Sequence, residues 1–139
     1  MKAYRKMKTY KKKRSGFTII ELMIVIMIVA ILVSLAYPSY VGYVRKAKRG
    51  EAQQLLLNWS INQEIWRSNN ITYAGTGDLP APTHDDYTFD FSVAPTATAY
   101  TLRANARNDQ VNDESRAGTS CATLTLDQSG VKVEPACWD

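Results

Sequence analysis

Histidine occurs once in these 139 residues, at His84, and cysteine only twice, at Cys121 and Cys137. Neither cysteine has a His or Cys partner at zinc spacing, so a structural zinc site is excluded and an internal disulfide is the simplest reading. Such a bridge adds roughly 3 kcal/mol in the chain-entropy model, and it persists only in an oxidising compartment. This part of the chain therefore belongs outside the cytoplasm. His84, Asp85 and Asp86 hold parts of a catalytic or metal site, but they lie in a Pro/Gly-flanked stretch and no motif sets a nucleophile beside them. The chain reads as a non-enzyme, and nothing in it calls for a cofactor or a metal. Its length allows one small domain plus a helix, with little room for a deep cleft.

Acidic residues are missing from the first twenty positions, where eight basic ones stand: Lys2, Arg5, Lys6, Lys8, Lys11, Lys12, Lys13 and Arg14. The formal charge of +4 is therefore misleading. From Glu51 onward five basic residues (Arg67, Arg103, Arg107, Arg116, Lys132) face twelve acidic ones, a net of −7. An acidic body is a poor general polyanion binder, because affinity for nucleic acid comes mostly from Lys and Arg neutralising phosphates.

Charge is nearly absent from Phe17 to Tyr37, which reads FTIIELMIVIMIVAILVSLAY with Glu21 alone interrupting it. As a helix this run is about 31 Å long, enough to span the hydrocarbon layer. The basic run ahead of it predicts a cytoplasmic N-terminus, although Arg45, Lys46, Lys48 and Arg49 on the other side oppose that orientation. An ordinary secretory signal would put its cleavage site after the apolar run, where Ala36-Tyr37-Pro38 is a poor match. Pro38 can kink the helix and Gly42 weakens it. Beyond them Ala52, Leu55, Leu56, Trp59 and Trp66 recur at helical spacing, which predicts an amphipathic helix over 38–67 with one buried face.

Residues 68–86, with Gly75, Gly77, Pro80 and Pro82, read as a loop. The rest, 87–139, reads as an antiparallel sheet. Tyr87, Phe89, Phe91 and Val93 alternate with polar residues, as do Tyr100, Leu102, Ala104 and Ala106. Leu124 and Leu126 follow, then a turn at 127–130, then Val131 and Val133, all expected to be half-buried. Between the strands, 108–120 is a polar loop; its oxygen-rich start lacks the spacing and turn glycine of a calcium loop. The expected architecture is α+β, a long N-terminal helix packed on a small antiparallel sheet.

Glu21 demands a partner, since a carboxylate in a membrane helix costs roughly 2.5–3.5 kcal/mol even on a lenient scale, and such a residue is a functional candidate. The bland reading is a protonated or snorkelling side chain near the helix end. Cleavage between Gly16 and Phe17 would offer more: it would strip the basic leader, residues 1–16, and place a new α-amine four residues from Glu21. GFTIIE between a basic leader and an unbroken apolar run, with Pro38 beyond, resembles the class III signal of type IV prepilins. The later helix, loop, sheet and the Cys121–Cys137 region look like a type IVa pilin. The stretch CATLTLDQSG with the terminal CW is similar to PilE-like minor pilins and the related DNA-uptake pilins.

That resemblance implies cleavage after Gly16 by a prepilin peptidase, N-methylation of Phe17, and contact of Glu21 with a neighbouring subunit's N-terminus. It implies other pilin subunits and the inner-membrane pilus assembly machinery as partners. The subunit would sit first in the inner membrane, its C-terminal domain periplasmic, and then in an extracellular pilus serving adhesion, twitching motility or DNA uptake. A second reading is a minor pilin that binds DNA through Arg103, Arg107, Arg116 and Lys132; against it, cross-strand pairing with Asp90 or plain solvent exposure is the simpler expectation for Arg103 and Arg107. A third is a pseudopilin of a type II secretion system.

Overall fold

The computed structural model describes residues 16–138, so the leader up to Ser15 lies outside the described residues. The chain divides into two compact units, Met1–Tyr37 and Pro38–Asp139. In the first unit the described residues form the start of helix α1 (Ile19–Arg67), and every side chain from Phe17 to Tyr37 is exposed. Thr18 caps the helix: its Oγ1 accepts the Glu21 N–H at 3.2 Å and its carbonyl accepts the Leu22 N–H at 3.2 Å. Thr18-Ile19-Ile20-Glu21 therefore has the spacing of a capping box, which fixes where the helix begins. Helical structure continues without a break through Pro38 and Gly42.

In the second unit four strands, β1 (Tyr87–Val93), β2 (Thr101–Ala106), β3 (Thr123–Asp127) and β4 (Lys132–Val133), form one antiparallel sheet in sequence order. Registers such as Phe89 opposite Ala104 and Ala104 opposite Leu124 place the apolar members of each alternation on one face. The core lies between that face and α1: Ala52, Leu56 and Trp59 pack with Tyr87, Phe89, Tyr100, Leu102, Leu124 and Leu126. Trp59 meets Phe91 with ring centroids 4.8 Å apart.

Three details correct the sequence reading. Val93 is half-exposed because the ladder slips after Phe91. Val131 and Val133, expected to be half-buried, are 59% and 57% exposed, since they lie at the sheet edge, where the two-residue β4 pairs with β3 alone. Gln63 is fully buried on the helix face, whereas Trp66 is only partly so. The Gln63 amide donates to the Ala74 carbonyl at 2.9 Å and accepts the Ala74 N–H at 2.8 Å, so its polar group is satisfied inside the core.

The 108–120 connection is more ordered than a solvated loop. It opens with a short 3-10 helix (Asn108–Asn112) and closes with a bridge between Glu114 and Ser120. The 68–86 segment carries neither helix nor strand. Gly130 takes φ +77°, a left-handed conformation that closes the β3–β4 turn.

Candidate functional site

Glu21 sits in the first turn of α1, and its backbone N–H is spent on the Thr18 cap. Its carboxylate makes no hydrogen bond or ion pair among the described residues. Phe17 is 87% exposed and Gly16 is exposed beside it. The described residues contain one helix long and apolar enough to cross a membrane, and none of its most apolar stretch is buried. Such a surface needs lipid or other helices around it.

The four cations considered for DNA do not converge. Arg103 makes a bidentate pair with Asp90 across the β1–β2 ladder, Nε to Oδ1 and Nη2 to Oδ2 both at 2.8 Å, and Asn105 adds a weaker 3.4 Å bond to the same carboxylate. That hydrogen bonding holds Asp90 below the usual carboxylate range and raises Arg103. Arg103 is thus already occupied. Arg107 is exposed just beyond β2, and Lys132 lies over the Trp138 ring, 4.7 Å from its centroid. Arg116 is exposed on the loop between Asp113 and Ser120.

Basic residues of α1 that the sequence reading had treated only as an orientation problem turn out to organise the unit. Arg45 pairs with Asp109 through two bonds, at 2.9 and 2.8 Å, and also donates to the Asn112 carbonyl. Lys48 meets Asp86 at 2.7 Å, and Arg49 meets Asp113 at 2.8 Å. The Arg49 and Asp113 side chains are only 4% and 3% exposed. Burial pushes the Asp113 carboxyl up, and Arg49 beside it pulls the other way. Gln110 donates to the Arg45 carbonyl and to the Tyr87 hydroxyl, both at 3.0 Å, and burial pushes that phenol up to about 12. The 3-10 segment and Asp113 after it are thereby fastened to the helix by two side chains sixty-four residues away, Arg45 and Arg49, and by Gln110 reaching to the Arg45 carbonyl.

Cys121 and Cys137 form a disulfide, with Cα atoms 5.5 Å apart. Gln53 of α1 donates to the Cys137 carbonyl at 2.7 Å and fixes the C-terminal segment to the helix. His84, followed by Asp85 and Asp86, meets Glu51 at 3.1 Å and accepts the Asp86 N–H on Nδ1. No cluster of three metal-ligating side chains occurs among the described residues.

Residues 38–125 match the family model described as type IV minor pilin ComP, DNA uptake sequence receptor, and residues 11–37 match the prokaryotic N-terminal methylation motif. The chain belongs to the type IV pilin family. A type IV major pilin of Neisseria gonorrhoeae is 32% identical to this pilin over 105 residues, covering 70% of this chain and 63% of that protein. The prepilin peptidase-dependent protein D of Escherichia coli is 35% identical over 86 residues, covering 59% of each. The pilin spans about three-fifths of the length of these curated relatives. Among solved structures, a type IV pilin from Shewanella oneidensis superposes with TM-score 0.54 at 27% identity, covering 68% of this chain and 98% of that one. The Neisseria meningitidis minor pilin PilV, at 20% identity and TM-score 0.52, shares the fold.

The methylation-motif match ends at Tyr37, where the first compact unit ends, and the second match begins at Pro38. The pilin thus joins an apolar segment that is exposed throughout among the described residues to a unit with its own core. One sequence signal was missed: Thr18 three residues before Glu21 marks a helix cap as well as a charge. The Arg45, Arg49 and Lys48 pairings had no local signal at all.

Proposed function

We propose that this chain is a subunit of a type IV pilus, a minor pilin by the family model it matches, whose activity is assembly. The observation that carries the reading is the wholly exposed apolar stretch from Phe17 to Tyr37 with Glu21 as its single charge. In the membrane that surface is covered by lipid; in a filament, sister helices cover it instead. Cleavage between Gly16 and Phe17 by a prepilin peptidase creates the α-amine, N-methylated on Phe17, that a neighbouring subunit's Glu21 contacts. The orientation is N-terminus cytoplasmic and second unit periplasmic before assembly. Pro38 and Gly42 mark where the membrane half of α1 can bend as it changes surroundings. The curated relatives are structural pilins, which supports a subunit without chemistry of its own.

Mass spectrometry of the N-terminal peptide, from membranes and from sheared filaments, tests this. The expected peptide begins at methylated Phe17 in both; an intact leader in every fraction overturns it. Glu21→Ala is expected to leave processed subunit in the membrane and to remove it from filaments.

A DNA-uptake role has one specific support, the family model's description over 38–125. The second unit is acidic overall and Arg103 is tied to Asp90, so the contacts fall to Arg107, Arg116 and Lys132. With about three phosphates neutralised, the logarithm of affinity should fall with the logarithm of salt at a slope near −3. A salt-independent or undetectable interaction removes this reading.

A further inference from the structure

We propose that the pilin carries a binding site for the phosphodiester headgroup of an anionic phospholipid, formed by Lys46 and Ser115 with Arg116. The inference rests on the membrane-inserted state described above. Two neighbouring cavities, about 340 and 200 Å³, share Lys46, Arg49, Ser115 and Arg116 in their walls. The larger has room for a phosphate group with part of its glycerol.

Charge in these walls is unbalanced in one direction. Arg49 is matched by Asp113, so that pair contributes no net charge. Lys46 and Arg116 meet no carboxylate within 4.0 Å among the described residues, and Glu114, which also lines the larger cavity, offsets one of them. The remainder is one positive charge, which suits a phosphodiester monoanion. Ser115, in the wall of both cavities, supplies a donor. It is 7% exposed, and its Oγ already accepts the N–H groups of Ala117 at 3.3 Å and Thr119 at 3.1 Å. With its acceptor capacity used, the hydroxyl proton is free to be donated.

Placement favours lipid over nucleic acid. Ser39 and Gly42 enter the cavity wall two and five residues after the apolar run ends at Tyr37. Tyr37, Tyr40 and Tyr43 are 65%, 67% and 77% exposed, an aromatic band of the kind that settles at the headgroup level. At 1.5 Å per residue, Gly42 lies about 8 Å along α1 beyond Tyr37 and Lys46 about 14 Å. Helix side chains lean toward the N-terminus, so Lys46 reaches back toward the lipid. The headgroup layer is about 5–8 Å deep on each side, within that reach.

The test places the full chain in nanodiscs of phosphatidylcholine alone or mixed with phosphatidylglycerol and reads the lipid retained on released protein by native mass spectrometry. Wild type should retain phosphatidylglycerol, and Lys46→Gln with Arg116→Gln should lower retention about tenfold. The charge-keeping pair Lys46→Arg with Arg116→Lys should restore retention, and Lys132→Gln should match wild type. Equal retention by wild type and the neutralised variant overturns the proposal. So does loss of duplex DNA binding by that variant with lipid retention unchanged, which would make nucleic-acid phosphate the occupant. Failure of the wild type to enter the discs would instead overturn the membrane reading beneath it, and the disc fraction shows this directly.

Discussion

Replacing Arg49 by Met leaves the Asp113 carboxylate 3% exposed with its main counter-charge gone. Removing one partner of a buried pair costs about 3–5 kcal/mol, because the remaining charge stays desolvated. Against a total stability of about 5–15 kcal/mol this is a large share. In urea, with a slope near 1.5 kcal/mol/M, the unfolding midpoint should drop by about 2 M or more. The assay is urea unfolding of the detergent-solubilised chain, read by tryptophan fluorescence, since Trp59 is buried against Phe91. The pH dependence gives a second reading. Burial holds the Asp113 carboxyl above its ordinary 3.8, so the native state binds that proton more tightly than the unfolded chain does. The penalty is present above the native-state value and is relieved as pH falls through it. Arg49 lowers that value, so in Arg49→Met the relief begins at higher pH and the deficit should shrink in mild acid. Adding Asp113→Leu to Arg49→Met should recover most of the loss. A single-variant cost under about 1 kcal/mol, or a double variant as unstable as the sum of the singles, would refute the reasoning.

Reducing the Cys121–Cys137 bridge, which closes a separation of 16 residues, should cost about 3 kcal/mol, read as a lower thermal midpoint with reductant. Trp59→Ala should cost about 3–5 kcal/mol by opening the helix–sheet core, measured by the same urea titration. Arg103→Ala should leave the urea midpoint close to that of wild type, because the pair is 36% and 46% exposed and screened by solvent. Since Arg103 depresses Asp90, its small contribution is present above 3.8 and fades as pH falls through the lower native-state value; DNA affinity of that variant should match wild type.

Local periodicity made most of the secondary structure legible. The alternation over 87–93 places β1, and the turn with Gly130 places the β3–β4 reversal, because a two-residue period and a left-handed turn are written in adjacent residues. The two cysteines could pair only with each other within the chain, and the lone charge in the apolar run marked Glu21. Which apolar residues of a period stay outside was not legible. Val131 and Val133 alternate like core residues and lie on an uncovered edge, and Gln63 sits in the core because Ala74 happens to satisfy its amide.

The sequence by itself determined an apolar helix with one carboxylate, a helix face and the strands that cover it, since each depends on near neighbours and on the cost of leaving apolar surface in water. Only the tertiary structure decided what the cations do. Arg45 and Arg49 find Asp109 and Asp113 sixty-four residues away, and Lys46 and Arg116 end up beside one cavity. Coulomb attraction and burial act through space, and no spacing along the chain records which charges the fold will bring within 3 Å of each other.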